Sequence, residues 1–153
     1  MSDGRVVFVV GHAKWGKSRT LRALTDRNVH QRRIQIGGAE FFIRRMSNDD
    51  RPSEFYDFIR DIRPSQRPDL IVAFCPEFQK AETRRCLEQL QQKRYRLFFW
   101  ILRERYGNGS FVTPDEIASL GEYGPVAVFE SGHTEDHIRA RALRSFIENT
   151  VLA

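Results

Sequence analysis

Cysteine is scarce in this chain. Two residues, Cys75 and Cys86, are too few for a disulfide framework. A reduced, cytoplasmic compartment is therefore the expectation. Long apolar runs are missing too. None approaches the roughly 20 residues needed to span a bilayer. The N-terminus enters an apolar, β-branched stretch directly, so neither a signal peptide nor membrane insertion is expected. There is no low-complexity tract and no internal repeat. Lysine is rare: only four of the 25 basic residues are lysine. The rest are arginine, whose planar fork suits bidentate contact with phosphate or carboxylate. At a net charge of +5, this is compatible with a nucleotide, a nucleic acid or an acidic protein partner, and equally with solvated helix faces. The 153 residues fit one domain, 1–153, large enough for a real core.

What is present is concentrated in Arg5 to Thr20, RVVFVVGHAKWGKSRT. Five apolar residues, Val6 to Val10, read as a buried strand, and Gly11 permits a sharp exit turn. Gly16-Lys17-Ser18 then completes the pattern G-x-x-x-x-G-K-[ST]. The spacing has a physical reason. Backbone N–H groups of such a loop converge on an anion, and the helix that follows adds its positive end. Gly16 lets the backbone approach phosphates closely, Lys17 supplies a mobile positive charge, and Ser18 offers a hydroxyl to magnesium.

At these residues the chain resembles the P-loop NTPase superfamily. The resemblance implies that Gly11, His12, Ala13, Lys14, Trp15, Gly16, Lys17, Ser18 and Arg19 contact Mg-ATP or Mg-GTP. Trp15 is unusual before the second glycine. It either packs beneath the loop or covers the nucleotide.

The rest of the chain alternates strand and helix signals. A helix is expected over about Lys17–Thr25. Arg32–Ile36, Gly37-Gly38 and Ala39–Arg45 read as a β-hairpin. Ser53 is placed to cap a helix running to about Ile62. Leu70–Phe74 is a continuous apolar run, hence a strand buried on both faces. Cys75-Pro76-Glu77 is expected to open a long helix, with Phe78, Ala81, Leu87 and Leu90 as its apolar stripe. Arg96–Leu102 is the next strand. Thr113-Pro-Asp-Glu116 is a capping box. Val126–Phe129 is the last strand, and a final helix buries Ile138, Leu143, Phe146, Ile147 and Val151. The expected fold is α/β: a three-layer P-loop NTPase arrangement of about six mostly parallel strands, one antiparallel edge strand, and helices on both faces.

A hairpin directly after the first helix is the order found in small GTPases. That resemblance implies that the hairpin's second strand lies beside the phosphate-loop strand and carries the magnesium-linked aspartate at its end. Asp49 is the candidate for that metal role and for catalysis, with Asp50 as alternative. Glu77, after the Leu70–Phe74 strand, is the rival for the magnesium role and a further catalytic candidate. Asp69 enters its strand at the wrong end. The guanine-reading motifs of the GTPases are missing, since Arg103-Glu-Arg-Tyr-Gly and Ser131-Gly-His occupy their places. ATP is therefore the expected nucleotide. Arg44, Arg45, Arg51, Arg103 and Arg105 are phosphate-facing or structural. His133 and His137 have a metal-compatible spacing but no third ligand. Cys86 reads as core, and Cys75 as a helix cap. Three functions stay open: a Mg-dependent NTPase switch, a small-molecule or nucleotide kinase with the 106–124 segment as lid, and a non-catalytic nucleotide-binding scaffold for a protein or nucleic-acid partner.

Overall fold

The computed structural model describes residues 3–12, 17–28, 30–103, 112–129 and 135–153. It contains a six-stranded mixed sheet: β1 (Gly4–Val10), β2 (Arg33–Ile36), β3 (Ala39–Arg44), β4 (Asp69–Phe74), β5 (Tyr95–Leu102) and β6 (Val126–Phe129). The spatial order is β2-β3-β4-β1-β5-β6. Among the described residues, only the β2–β3 pair is antiparallel. Gly37 and Gly38 join it with φ of +56° and +84°, the left-handed pair that a tight hairpin turn requires.

The order follows from burial. Val6 to Val10 in β1 and Leu70 to Phe74 in β4 are essentially inaccessible, so both strands need neighbours on two sides and cover on two faces. Strand β3 alternates buried and half-buried residues, the signature of a strand nearer the edge. The implied GTPase-like adjacency is therefore corrected: β3 pairs with β4, and β4, not β3, lies beside β1. Sequence order identified the hairpin but not its neighbour, because strand pairing is decided by which strand needs both faces covered.

Among the described residues, five α-helices cover the sheet. On one face, α2 (Pro52–Asp61), α3 (Ala81–Gln92) and α4 (Pro114–Gly121) pack over Val6, Phe8, Val10, Val72, Phe74 and Phe99. The Phe8 ring lies 4.9 Å from Phe74 and 5.1 Å from Phe99. On the other face, α1 (Lys17–Leu24) and α5 (Asp136–Phe146) cover Val7, Val9, Ile71 and Trp100. A π-helical turn, Ile147–Val151, extends α5. No helix among the described residues is long and apolar enough to cross a membrane.

Three local expectations need correction. Helix α2 starts at Pro52 behind Arg51, with no side-chain cap, so Ser53 is not its cap. Proline's fixed φ already suits the first helical position. Helix α3 begins only at Ala81, because after Phe74 ends β4 the chain turns through bonds from Glu77 N to Cys75 O and from Phe78 N to Pro76 O. Ala81 is accordingly exposed. In α5, Ile138 is exposed and Arg139 is buried in its place. The Arg139 guanidinium donates to Thr20 Oγ1 of α1 at 3.1 Å and pairs with Asp136 at 2.5 Å, so a charged residue occupies an inward position.

Candidate functional site

Strands β1, β3, β4, β5 and β6 run parallel, so their carboxyl ends share one edge of the sheet, where open α/β sheets place their ligands. Gly11 leaves β1 there, tied to the end of β4 by Gly11 N donating to Phe74 O at 3.1 Å. Lys17 is the first residue of α1. Its side chain is 7% exposed and folds back along the edge. Its ammonium donates to Gly11 O at 2.6 Å and lies 3.5 Å from Asp49 Oδ1. An ammonium has three donors, and among the described residues these are its two partners.

Asp49 reaches Lys17 although β4 separates their strands. Asn48, fully buried, makes the crossing. Its Nδ2 donates to Cys75 O at 2.9 Å and its Oδ1 accepts from Cys75 N at 2.7 Å. The side chain thus mimics one more strand pairing and pins the turn after β3 to the end of β4. Ser47, also fully buried, donates from Oγ to Asp49 Oδ1 and so orients that carboxylate. Asp50 is exposed and accepts from Ser47 N at 3.1 Å, which makes it a turn-former rather than a site carboxylate.

A second set of contacts closes on His12. Its Nε2 lies 3.1 Å from Glu116 Oε1 and its Nδ1 lies 3.6 Å from Cys75 Sγ. Glu116 is also the closing residue of the α4 capping box, accepting from Thr113 N at 2.8 Å. One carboxylate therefore both starts a helix and holds the first loop residue after Gly11. Burial pushes the Cys75 thiol up to about 12, opposed by the Lys17 charge and reinforced by the carboxylates of Asp49, Glu77 and Glu116. Cys75 is thus a packed thiol, not a nucleophile. The helix-cap reading of Cys75 is replaced by a strand-end role.

The remaining candidates divide. Ser18 and Arg19 are exposed in the first turn of α1. Glu77 is ion-paired to Lys80 at 3.2 Å, and its field reaches Cys75, but no contact to Lys17 or Asp49 is present among the described residues. Arg45 is structural: its Nη2 donates to Thr25 Oγ1, Asn28 O and Gln31 O at 2.8–3.0 Å. Arg51 pairs with Glu54 on α2. The Arg103 backbone bridges Phe129 and Val112 at the end of β5. His137 is exposed and paired with Glu135. Ala13, Lys14, Trp15, Gly16, Arg105 and His133 lie outside the described residues. Asn48, Ser47 and Glu116 escaped sequence reasoning. The polar run Ser47–Asp50 and the capping box were visible, but each reads locally as an ordinary turn or helix start.

No family model matches the sequence, and no curated protein does. The fold has a counterpart among solved structures: the solution NMR structure of a de novo designed PLOOP2X3_50 fold protein. It superposes with a TM-score of 0.55 at 16% identity over 97% of this chain and 95% of that one. The chain therefore has the architecture of a designed P-loop fold. That likeness concerns the backbone alone.

Proposed function

We propose that this chain binds a magnesium nucleoside triphosphate at the carboxyl edge of β1 and hydrolyses it slowly as a switch, with ATP preferred to GTP. The observation that supports the reading is Lys17 held at that edge between Gly11 O and Asp49, within a G-x-x-x-x-G-K-S sequence. Lys17 presents its charge where β- and γ-phosphates lie in such loops, and it can exchange the Gly11 carbonyl for a phosphate oxygen. Ser18 and Asp49 are the magnesium candidates. A hydroxyl and a carboxylate are hard oxygen donors, which fit a cation that takes its other ligands from phosphate and water. Magnesium would offset the charge of the phosphates during transfer. Asp49, oriented by Ser47, would hold the cation, and the tie through Asn48 would keep that carboxylate at the edge.

Calorimetric titration of Mg-ATP and Mg-GTP into wild type and Lys17→Ala tests the binding. Loss of a charge-assisted bond predicts affinity lowered about 10- to 100-fold in the variant. Equal affinity in both would overturn the site. Hydrogen exchange of residues 47–51 tests the switch: protection must differ between ADP and a non-hydrolysable triphosphate. Release of ADP that requires an added acceptor would make the chain a kinase instead. Binding without turnover under either condition would make it a nucleotide-binding scaffold.

A further inference from the structure

A groove of about 550 Å³ lies between the β2–β3 hairpin and the C-terminal half of α2. It shares no lining residue with the Lys17 site. Four arginines line it: Arg32 before β2, Arg44 at the end of β3, Arg45 just after it, whose Nη2 is engaged by Thr25, Asn28 and Gln31, and Arg67 in the loop before β4. Two of them are held on aromatic rings. The Arg67 guanidinium sits 4.1 Å from the Phe42 centroid, and that of Arg44 sits 4.8 Å from Phe58. Such stacking fixes a long side chain before any ligand arrives.

Among the described residues, the side chains of Arg32, Arg44 and Arg67 have no ion pair and no hydrogen bond. Asp61 on the rim is taken by Arg60 at 3.0 Å. Arg44 Nε and Nη2 are buried and donate to no described atom. Burial lowers the Arg44 pKa, with only the charge of Glu54 opposing. Desolvated donors without acceptors are costly. An anion that enters beside them recovers that cost.

We infer that this groove is a second anion site, independent of Lys17, which takes a small phosphorylated ligand on the forks of Arg44, Arg67 and Arg32. Several converging guanidiniums suit a phosphate, with its multiple oxygens and more than one charge, better than a single carboxylate. The volume lies in the range of small-molecule sites. The ring faces of Phe42 and Phe58 already carry guanidiniums, so they offer no platform for stacked bases.

The test uses calorimetry to titrate inorganic pyrophosphate into the Lys17→Ala chain, in which the first site is weakened. Saturable binding is expected there. It should weaken roughly tenfold or more when Arg44 and Arg67 are both changed to Gln, since each supplies charge-assisted bonds. Arg32→Gln, an exposed change that cannot unfold the chain, should weaken it several-fold as well. Binding seen in wild type but abolished by Lys17→Ala would overturn the second site, as would binding that ignores all three arginines. No binding to either protein overturns it too. A single-stranded oligonucleotide bound through the same arginines, with pyrophosphate ignored, would replace the small ligand by a nucleic-acid backbone.

Discussion

At the scale of single residues, the site depends on Asn48. Its two bonds to the Cys75 backbone replace the strand pairing that β3 lacks at its end. Asn48→Ala leaves a buried N–H and a buried C=O without their partner, which predicts a loss of about 2–4 kcal/mol, measured by urea unfolding. Asn48→Asp keeps the acceptor, loses the donor and adds charge beside Asp49, so it should recover little of that stability. Both changes should also weaken Mg-ATP binding, because Asp49 is positioned through this bridge. A variant that unfolds at lower urea but binds nucleotide unchanged would show that Asp49 finds its place without Asn48. Lys17 is different. Asp49 was a candidate from the sequence, but its direct ion pair with Lys17 became visible only once β3 and β4 were paired.

At the scale of elements, two contacts set how helices and strands meet. Thr113 Oγ1 accepts from Glu116 N at 3.1 Å, the local half of the capping box. Thr113→Ala should cost about 1 kcal/mol, read from the thermal midpoint. Gly124 enters β6 so close to β5 that an added Cβ would lie 1.9 Å from Leu97 O. Gly124→Ala must push the backbone, and a loss of about 1–3 kcal/mol is expected, checked by chemical denaturation. The hairpin, the capping box and the Val126–Phe129 strand were all legible in the sequence, because each rests on contacts within a few residues. The start of α3 was not. Pro76 signals a first helical turn, yet the backbone of Cys75 is engaged by Asn48, 27 residues earlier. The phase of α5 failed for a similar reason: Arg139 is buried through a hydroxyl on α1, 119 positions away.

At the scale of the molecule, the packed sheet imposes a pH dependence. Burial raises the acids Cys75, Cys86 and Tyr95 to about 12 from ordinary values of 9, 9 and 10. In the unfolded chain these groups lose their protons first. Folded stability is therefore intact below about pH 9 and falls as pH rises toward 12, by at most about 1.4 kcal/mol per pH unit for each group. Thermal midpoints between pH 8 and 11 should show the fall. Cys86→Ala should make it shallower, and an unchanged slope would mean that the thiol ionises equally in both states.

The sequence by itself determined the periodic elements, the α/β class and the phosphate-loop pattern at Gly11–Ser18. Each is carried by neighbours along the chain: apolar runs, glycines where φ turns positive, a lysine and a serine at fixed offsets. Only the tertiary structure decided that β4 separates β3 from β1, that Asn48 spans that gap, and that Asp49 and Glu116 converge on Lys17 and His12. Those contacts join residues 27 to 104 positions apart. Strand order there follows from which strands must be covered on both faces, a property of the whole sheet that no local pattern encodes.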